Sequence, residues 1–482
     1  MVFVRLLIMS LLVLLPSSSF FWPVYIEKQL NKERITQGEL TFSLSHSHQP
    51  SLVYQMNLYP PYSEKWLKMA VKVGNFDGNI AYKLAEYFEA KQDFIQMEMW
   101  LTIGSELKHL ESIITLAKRY LLNGQFEDLT KLYFDFSELD SLLPFIIEME
   151  MAQGETEKIA TLMQRLKTLP LHAELYNELL SYRLNDEREN ILKPKLCDNS
   201  IQFFSTTLAG LRRVSFLIKE FQHHPLSPYF CFNKPRYVSK KKLVCNNTKT
   251  KLENRPIQCQ EHKFPVAMQT AQSKYLGLLL PEGGANVYQG VMYIDMADSP
   301  DVFAHELAHF IGFVDEYSLK EGHSVCQRLT DNFANNIVIL PKFLKGERQT
   351  LRQDIIKKLP WGKFIDSNTP ILTPHQNGWL VGYDNNTPIN QNSNHSKNPK
   401  KQDKRSNEAK EDEQWPKDLP DQNVGLYAAN TCSNNNLATF KPLKQRTQLE
   451  YYETAFPSFY ITLYRSLAGK YHMPSYKEIF NQ

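Results

Sequence analysis

The sequence predicts a multidomain protein in which an all-α region of helical repeats precedes an α+β region. Its 482 residues are more than one ordinary domain holds. From Tyr62 to about residue 192, apolar residues recur at helical spacing, and glycine and proline are sparse. From residue 195 onward, short β-branched and aromatic runs mix with helical ones, and all six cysteines lie in this part.

The first 19 residues have the pattern of a signal peptide. Arg5 adds positive charge near the N-terminus, residues 6–15 are almost wholly apolar, and the small residues Ser17 and Ser19 suit a signal-peptidase site. The apolar run is shorter than the roughly 20 residues that span a bilayer. We therefore expect a secreted or periplasmic protein without stable membrane insertion once the signal is removed. The alternative is retention by an uncleaved N-terminal anchor.

A mixed, weakly periodic segment at residues 20–61 precedes a predicted helical-repeat domain at residues 62–194. Within this domain, one set of residues recurs after a constant shift of 32: Leu84, Ala85, Phe88 and Phe94 return as Leu116, Ala117, Tyr120 and Phe126. A looser third copy surrounds Ile147 to Leu162, with Gly154 in the place of Gly124. Helix-turn-helix repeats of about 34 residues stack in this way and bury small alanines between helices. The domain resembles tetratricopeptide or Sel1-like repeats, and serves either as a surface for a protein partner or as a scaffold.

The composition indicates which binding partners and which cellular compartment to expect. A formal net charge of +3 gives no indication of a nucleic-acid partner. The even number of cysteines, none in the first 196 residues, predicts disulfides formed in an oxidising compartment. Residues from about 384 to 424 are dense in Asn, Lys, Asp, Gln and Glu, so we expect a flexible insertion within the region 195–482.

A strand followed by a capped helix is predicted in the middle of this region. Val287 to Met296 is rich in β-branched and aromatic residues and is typical of a strand. Ser299 is a good N-cap, Pro300 suits the first helical position, and Asp301 favours the N-terminal dipole.

The predicted helix carries a pattern with the chemistry of a metal site. His305 and His309 lie four residues apart, so both imidazoles project from one helix face and can bind one ion. Glu306 lies one step around the helix, where it can reach a water on that ion. Gly312 permits the left-handed conformation that ends a helix, and Asp315 can then return as a third ligand. Three protein ligands and one open position are typical of catalytic zinc.

The pattern HExxHxxGxxD is a variant of the metzincin signature. Extended to HExxHxxGxxDEY, it resembles the bacterial IgA-peptidase family of zinc peptidases over Tyr293 to Tyr317. The resemblance implies a metzincin-like zinc peptidase domain at residues 195–482. It also implies His305, His309 and Asp315 as zinc ligands and Glu306 as a catalytic residue. It does not cover the helical half, and it does not imply that immunoglobulin is the substrate.

Metzincins also carry a methionine turn beneath the zinc, and the candidate here is Thr447 to Tyr451. Leu449 stands where the methionine usually is, and leucine can fill the same apolar space. Tyr451 falls where some metzincins place a tyrosine that touches the zinc or the oxyanion; the alternative is a core aromatic.

These observations predict a zinc-dependent endopeptidase in which Glu306 activates a zinc-bound water against a protein or peptide substrate. The strand Val287 to Met296 could pair with an extended substrate. Gly283 and Gly284 would allow its close approach or form an ordinary turn. Two other functions stay open: a non-catalytic repeat protein with a structural zinc, and a zinc hydrolase acting on a non-peptide amide such as a cell-wall crosslink.

Two further histidine pairs are expected to have no special role. His46 and His48 form an HxH pair in a serine-rich segment and are expected to be solvated. His223 and His224 precede a proline in a predicted loop.

Overall fold

The computed structural model describes residues 21–184, 197–245, 258–319, 326, 334–382, 424–432, 436–467 and 469–480. The predicted signal peptide, the boundary near residue 195 and all but the last residue of the predicted insertion lie outside these ranges. The chain divides into two compact units, Met1–Met149 and Glu150–Gln482. This division falls inside the range that the sequence assigns to the repeats.

The described part of the first unit is helical. Helices were predicted from residue 62 onward, and the preceding segment, expected to be mixed, is helical as well. Its helices are α1 (21–31), α2 (Gln37–Ser45), α3 (Gln49–Asn57), α4 (Glu64–Val73), α5 (Gly78–Ala90), α6 (Phe94–Glu106), α7 (Leu110–Leu122), α8 (Phe126–Asp135) and α9 (Leu143–Gln153), the last of which crosses the division.

The repeated positions lie at equivalent places in successive helix pairs. Leu84 and Ala85 lie on α5, Leu116 and Ala117 lie on α7, and all four are at most 2% exposed. Small and large apolar side chains therefore alternate in the helix interfaces, as the 32-residue shift predicts.

The second unit begins with the helices α10 (Thr156–Lys167) and α11 (Ala173–Ser181). The strand region that follows is hydrogen-bonded to residues just before α10: the hydroxyl of Tyr237 donates to the carbonyl of Met151 at 2.9 Å, and Ser239 donates to that of Gly154 at 2.8 Å.

Five strands of the described second unit form its main sheet, in the order β2-β1-β3-β5-β4. They are β1 (Ser200–Ser205), β2 (Cys231–Tyr237), β3 (Tyr275–Leu280), β4 (Asn286–Tyr288) and β5 (Val291–Asp295). The first, second, third and fifth strands run parallel, and β4 pairs antiparallel with β5. Helix α12 (Leu208–Phe221) connects β1 to β2, a short helix α13 (Val266–Gln269) precedes β3, and α14 (Pro300–Phe310) follows β5.

Side chains cover both faces of the main sheet. On one face, Phe203 packs in the large core with Phe303 of α14, at a ring separation of 5.5 Å. On the other face, Phe204 packs with Met268 and Tyr293. Since both faces are covered, β1 is buried along its whole length, and its polar side chains Gln202 and Ser205 donate to backbone carbonyls.

The prediction of one strand from Val287 to Met296 is wrong. The segment forms a hairpin of β4 and β5, joined by Gln289 and Gly290. Both turn residues have positive φ, 47° and 79°, and this backbone geometry is the one that closes a two-residue hairpin. As a result β4 is the outermost strand of the sheet.

Two smaller antiparallel sheets complete the described strands. One has the order β10-β11-β6, formed by β6 (Val338–Pro341), β10 (Tyr427–Ala429) and β11 (Leu437–Lys441). The other has the order β7-β9-β8, formed by β7 (Phe343–Leu344), β8 (Leu372–His375) and β9 (Gly378–Val381). A helix-plus-sheet layout after a helical region is thus confirmed.

Three further α-helices lie in the described residues: α15 (Arg348–Lys358), α16 (Ser458–Leu467) and α17 (Tyr476–Phe480). Helix α16 starts directly after Pro457. Within the described residues, no helix combines the length and the apolar character that crossing a bilayer requires.

All six cysteines form disulfides, which confirms that prediction. The pairs are Cys197–Cys231, Cys245–Cys259 and Cys326–Cys432.

Candidate metal centre

The helix α14 starts where the sequence predicts. Ser299 accepts the backbone N–H of Val302 at 3.2 Å through its hydroxyl, and Pro300 occupies the first turn. The helix leaves the end of β5 and packs its apolar side chains, among them Phe303 and Leu307, into the core under the sheet. This packing fixes how far the helix is rotated about its axis, and therefore where its polar side chains point.

Backbone carbonyls orient both imidazoles of α14. Nδ1 of His305 lies 2.7 Å from the carbonyl oxygen of Gln448, and Nδ1 of His309 lies 3.0 Å from that of Phe313. A carbonyl oxygen can only accept, so each Nδ1 carries a proton and donates it. Nε2 is then the atom of each ring that can bind a metal ion.

Asp315 returns to these two nitrogen atoms. Gly312 follows the helix with a φ of +86° and reverses the chain direction, as predicted. One carboxylate oxygen of Asp315, Oδ1, then lies 3.0 Å from Nε2 of His305 and 3.3 Å from Nε2 of His309. Ligands of a tetrahedral zinc with bonds of about 2.0–2.1 Å are about 3.3–3.4 Å apart, so these separations fit a zinc ion.

Glu306 is buried beside the same nitrogen atoms. The ligand atoms of His305, Glu306 and His309 lie within 4.8 Å of one another, so this group could hold a metal ion. Oε2 of Glu306 is 3.9 Å from Nε2 of His309 and has no hydrogen-bond partner among the described residues. Of the two carboxylates, Asp315 lies closer to the imidazoles, which leaves Glu306 with a free oxygen beside them.

In the metal-free site, the ionisable side chains change one another's pKa values. Burial lowers the pKa of His309, but the carboxylate of Asp315 outweighs it and raises that pKa to about 9. Burial alone would raise the pKa of Asp315, yet the two imidazoles hold it well below its usual range. Burial also raises the pKa of Glu306, against the opposing effect of both histidines.

The carboxylate of Glu316, the next residue after Asp315, is fully hydrogen-bonded to other side chains. Its carboxylate accepts hydrogen bonds from four side chains: Asn336 (2.9 Å), Lys441 (2.9 Å), Thr447 (2.8 Å) and Tyr460. Its side chain is 0% exposed. With both oxygens bonded, Glu316 is an anchor for the chain at this point, and Asp315 is the residue left to face the histidines.

The segment predicted to correspond to the methionine turn lies against the motif. The carbonyl of Leu449 accepts the N–H of Glu316 at 2.9 Å, and the neighbouring carbonyl of Gln448 holds His305. Leu449 is 0% exposed and belongs to the main core, as its predicted apolar role requires.

Tyr451 is not a core aromatic. It is 47% exposed, and its ring lies under the guanidinium of Arg446, 4.6 Å from the ring centroid. Its contact with a zinc ion or an oxyanion stays a prediction.

Tyr317, the last residue of the motif, has no separate role in the sequence-based prediction. Its ring stacks on that of His305 with centroids 6.4 Å apart and planes 19° apart. Burial raises the pKa of its hydroxyl, and the nearby carboxylates of Asp315 and Glu306 raise it further. Tyr317 therefore borders the site while remaining 42% exposed.

Gly283 and Gly284 were expected to allow the close approach of a substrate or to form an ordinary turn. The N–H groups of both glycines donate to Oδ2 of Asp295, at 2.9 and 2.6 Å, so they form a turn anchored on the end of β5.

His46 and His48 both pack against Trp22, with ring centroids 5.7 and 5.4 Å from it.

His224 has a long-range contact that its place in a predicted loop did not indicate. Unlike its exposed neighbour His223, it is partly buried, and its Nε2 lies 2.9 Å from Oε1 of Gln448. The local sequence could not reveal this contact, because the two residues are 224 positions apart.

The predicted resemblance to zinc peptidases is specific over the motif from Tyr293 to Tyr317. Comparison of the chain with protein-family models, with curated proteins and with solved structures gives no match.

Proposed function

We propose that this chain is an exported zinc-dependent metallopeptidase of the metzincin type, similar to the bacterial IgA-peptidase family. In this proposal His305, His309 and Asp315 hold the zinc and Glu306 is the general base. The substrate is a protein or peptide.

One observation carries the proposal: Nε2 of His305 and Nε2 of His309 converge on a single carboxylate oxygen of Asp315, at 3.0 and 3.3 Å. Two neutral imidazoles and one carboxylate are a donor set that suits zinc. The buried oxygen of Glu306 without a hydrogen-bond partner supports the same proposal, since such an atom is costly unless a ligand or water satisfies it.

Zinc bound at these side chains would supply a water of lowered pKa and polarise the scissile carbonyl. Glu306 would take the proton of the attacking water and then deliver it to the leaving amine nitrogen. Burial raises the pKa of Glu306, which is the direction that brings a carboxyl closer to the working pH of a general base. The carbonyls of Gln448 and Phe313 would keep both imidazoles oriented throughout.

The strand β4 is the proposed binding edge for an extended substrate. It is the outermost strand of the main sheet, and its partner β5 leads directly into α14. A peptide that added to this edge would gain main-chain hydrogen bonds close to the helix that carries the site.

The structural-zinc alternative requires a fourth protein ligand, typically cysteine. No free cysteine exists in this chain, because all six form disulfides. The same disulfides fit an oxidising compartment and so support export.

The test uses the full chain. We expect about one zinc per chain and chelator-sensitive cleavage of a mixed peptide library. Glu306→Gln should keep the zinc and lose cleavage by at least about 100-fold, because the proton acceptor is gone. The matched control is Glu220→Gln, which changes an exposed carboxylate on α12.

Zinc binding without peptide cleavage, together with cleavage of a cell-wall amide, would favour the non-peptide hydrolase. A Glu306→Gln variant as active as the wild type would show that Glu306 is not the base.

A further inference from the structure

We infer that His224 is a positioning residue of the metal centre, and that it acts on His305 through Gln448. The inference rests on the proposed metal site. His224 itself touches neither the proposed ligands nor the reacting atoms.

The hydrogen bonds of His224 define its tautomer. The backbone N–H of Leu226 donates to Nδ1 of His224 at 3.2 Å, so this nitrogen is an acceptor and carries no proton. The proton of the neutral ring is therefore on Nε2, which donates to Oε1 of Gln448 at 2.9 Å. Burial lowers the pKa of His224, which favours this neutral form.

Gln448 is held at the other end of its amide as well. With Oε1 accepting from His224, the amide nitrogen faces two backbone carbonyls, those of Asp301 and Tyr452, each at 3.3 Å. The amide oxygen thus accepts one hydrogen bond and the amide nitrogen donates two, all within the protein. Only one of the two flipped orientations of the side-chain amide allows these bonds.

The backbone of Gln448 transmits this orientation to the metal centre. Its carbonyl oxygen accepts Nδ1–H of His305 at 2.7 Å. Fixing the side chain restrains the peptide plane of residue 448, and the peptide plane in turn sets the direction of the imidazole. Outer partners of this kind typically change metal affinity by about 10–100-fold when they are removed.

The ring of His224 is placed by packing. It stacks on Phe221 with centroids 5.2 Å apart and planes 18° apart, and it meets Phe456 edge-on at 5.7 Å. An aromatic residue could keep these contacts without the hydrogen bonds, which makes a clean substitution available.

The experiment measures the zinc dissociation constant of the full chain by competition with a chromophoric chelator. In His224→Phe the stacking is kept and both hydrogen bonds are lost. We expect the constant to rise by up to about tenfold, the lower end of the range for direct partners, because the Gln448 carbonyl itself remains. The matched control is His223→Phe, because His223 is the exposed neighbour, and its constant should stay at the wild-type value.

Two polar variants separate positioning from packing. In His224→Gln the amide nitrogen can still donate to Gln448, so we expect affinity near that of the wild type. In His224→Asn the shorter side chain can still accept from Leu226 but does not reach Gln448, so we expect weak binding. The visible spectrum of the Co²⁺-substituted protein should change in the Asn variant and not in the Gln variant. This pair decides the question even if His224→Phe fails to fold.

The outcomes are distinct. Wild-type protein that binds no zinc would overturn the proposed function, and this inference with it. Wild-type protein that binds zinc, with equal affinity in the Asn and Gln variants, would overturn the role of His224 and leave the metal site intact.

Discussion

The carboxylate of Glu316 lies 2.9 Å from the ammonium of Lys441, and both side chains are at most 5% exposed. Its neighbour Asp315 faces the two imidazoles instead. The two consecutive carboxylates therefore have different partners: Glu316 anchors the chain through Lys441, and Asp315 faces the proposed metal site.

Breaking this buried pair should be costly. In Lys441→Met the carboxylate of Glu316 loses its charged partner, and we expect the free energy of unfolding to fall by about 3–5 kcal/mol. Denaturant unfolding of the metal-free protein measures it. Lys345→Met, at an exposed lysine, should change the value by less than about 0.5 kcal/mol. Equal stability of the two variants would mean that the pair contributes nothing.

The parts of the site that follow one another in the sequence could be predicted from it. The N-cap at Ser299, the shared face of His305 and His309, and the reversal at Gly312 each depend on rules that act within a few residues. The structure has all of them where the sequence indicates.

The partners of these residues could not be predicted in the same way. Gln448 is 143 positions from His305, and Lys441 is 125 positions from Glu316. No local pattern records such pairings, because they arise only when the core is assembled. The hairpin at Gln289 and Gly290 was missed for a different reason. Its residues do not form one of the common turn pairs, such as Asn-Gly.

The identity of the third ligand can be tested by comparing two carboxylates. Asp315→Ala removes the oxygen that lies between both imidazoles, so the zinc dissociation constant should rise by more than the about 10–100-fold expected for an outer partner. Glu306→Gln, at the same site, should bind zinc nearly as tightly as the wild type. The reverse order of affinities would make Glu306 the ligand.

Zinc binding should release a proton from His309. In the metal-free protein the pKa of this imidazole is about 9, so at pH 7.5 its Nε2 carries a proton that zinc must displace. The carboxyl of Asp315 has a lowered pKa and gives up no proton in this range. Apparent zinc affinity should therefore rise about tenfold per pH unit up to pH about 9 and then level off. Titration calorimetry in buffers of different ionisation enthalpy counts the released protons. An affinity that is constant from pH 7 to 8.5 would contradict this linkage.

Substitution of Gly312 tests whether the chain reversal at this residue positions Asp315, the proposed third ligand. At this residue φ is +86°, and a Cβ atom would lie 2.0 Å from the carbonyl oxygen of Tyr471. In Gly312→Ala the backbone must shift, and Asp315 follows only three residues later. We expect a loss of at least about 2 kcal/mol in the free energy of unfolding together with weaker zinc binding.

Gly124 provides the control for backbone strain alone. It also has positive φ, +68°, but apart from its chain neighbours no atom of the described residues lies within 4 Å of the place its Cβ would take. Gly124→Ala should cost about 1 kcal/mol and leave zinc affinity unchanged. If Gly312→Ala also destabilised the protein but left zinc affinity unchanged, the reversal would be needed for folding only. The position of Asp315 would then depend on the anchoring of Glu316.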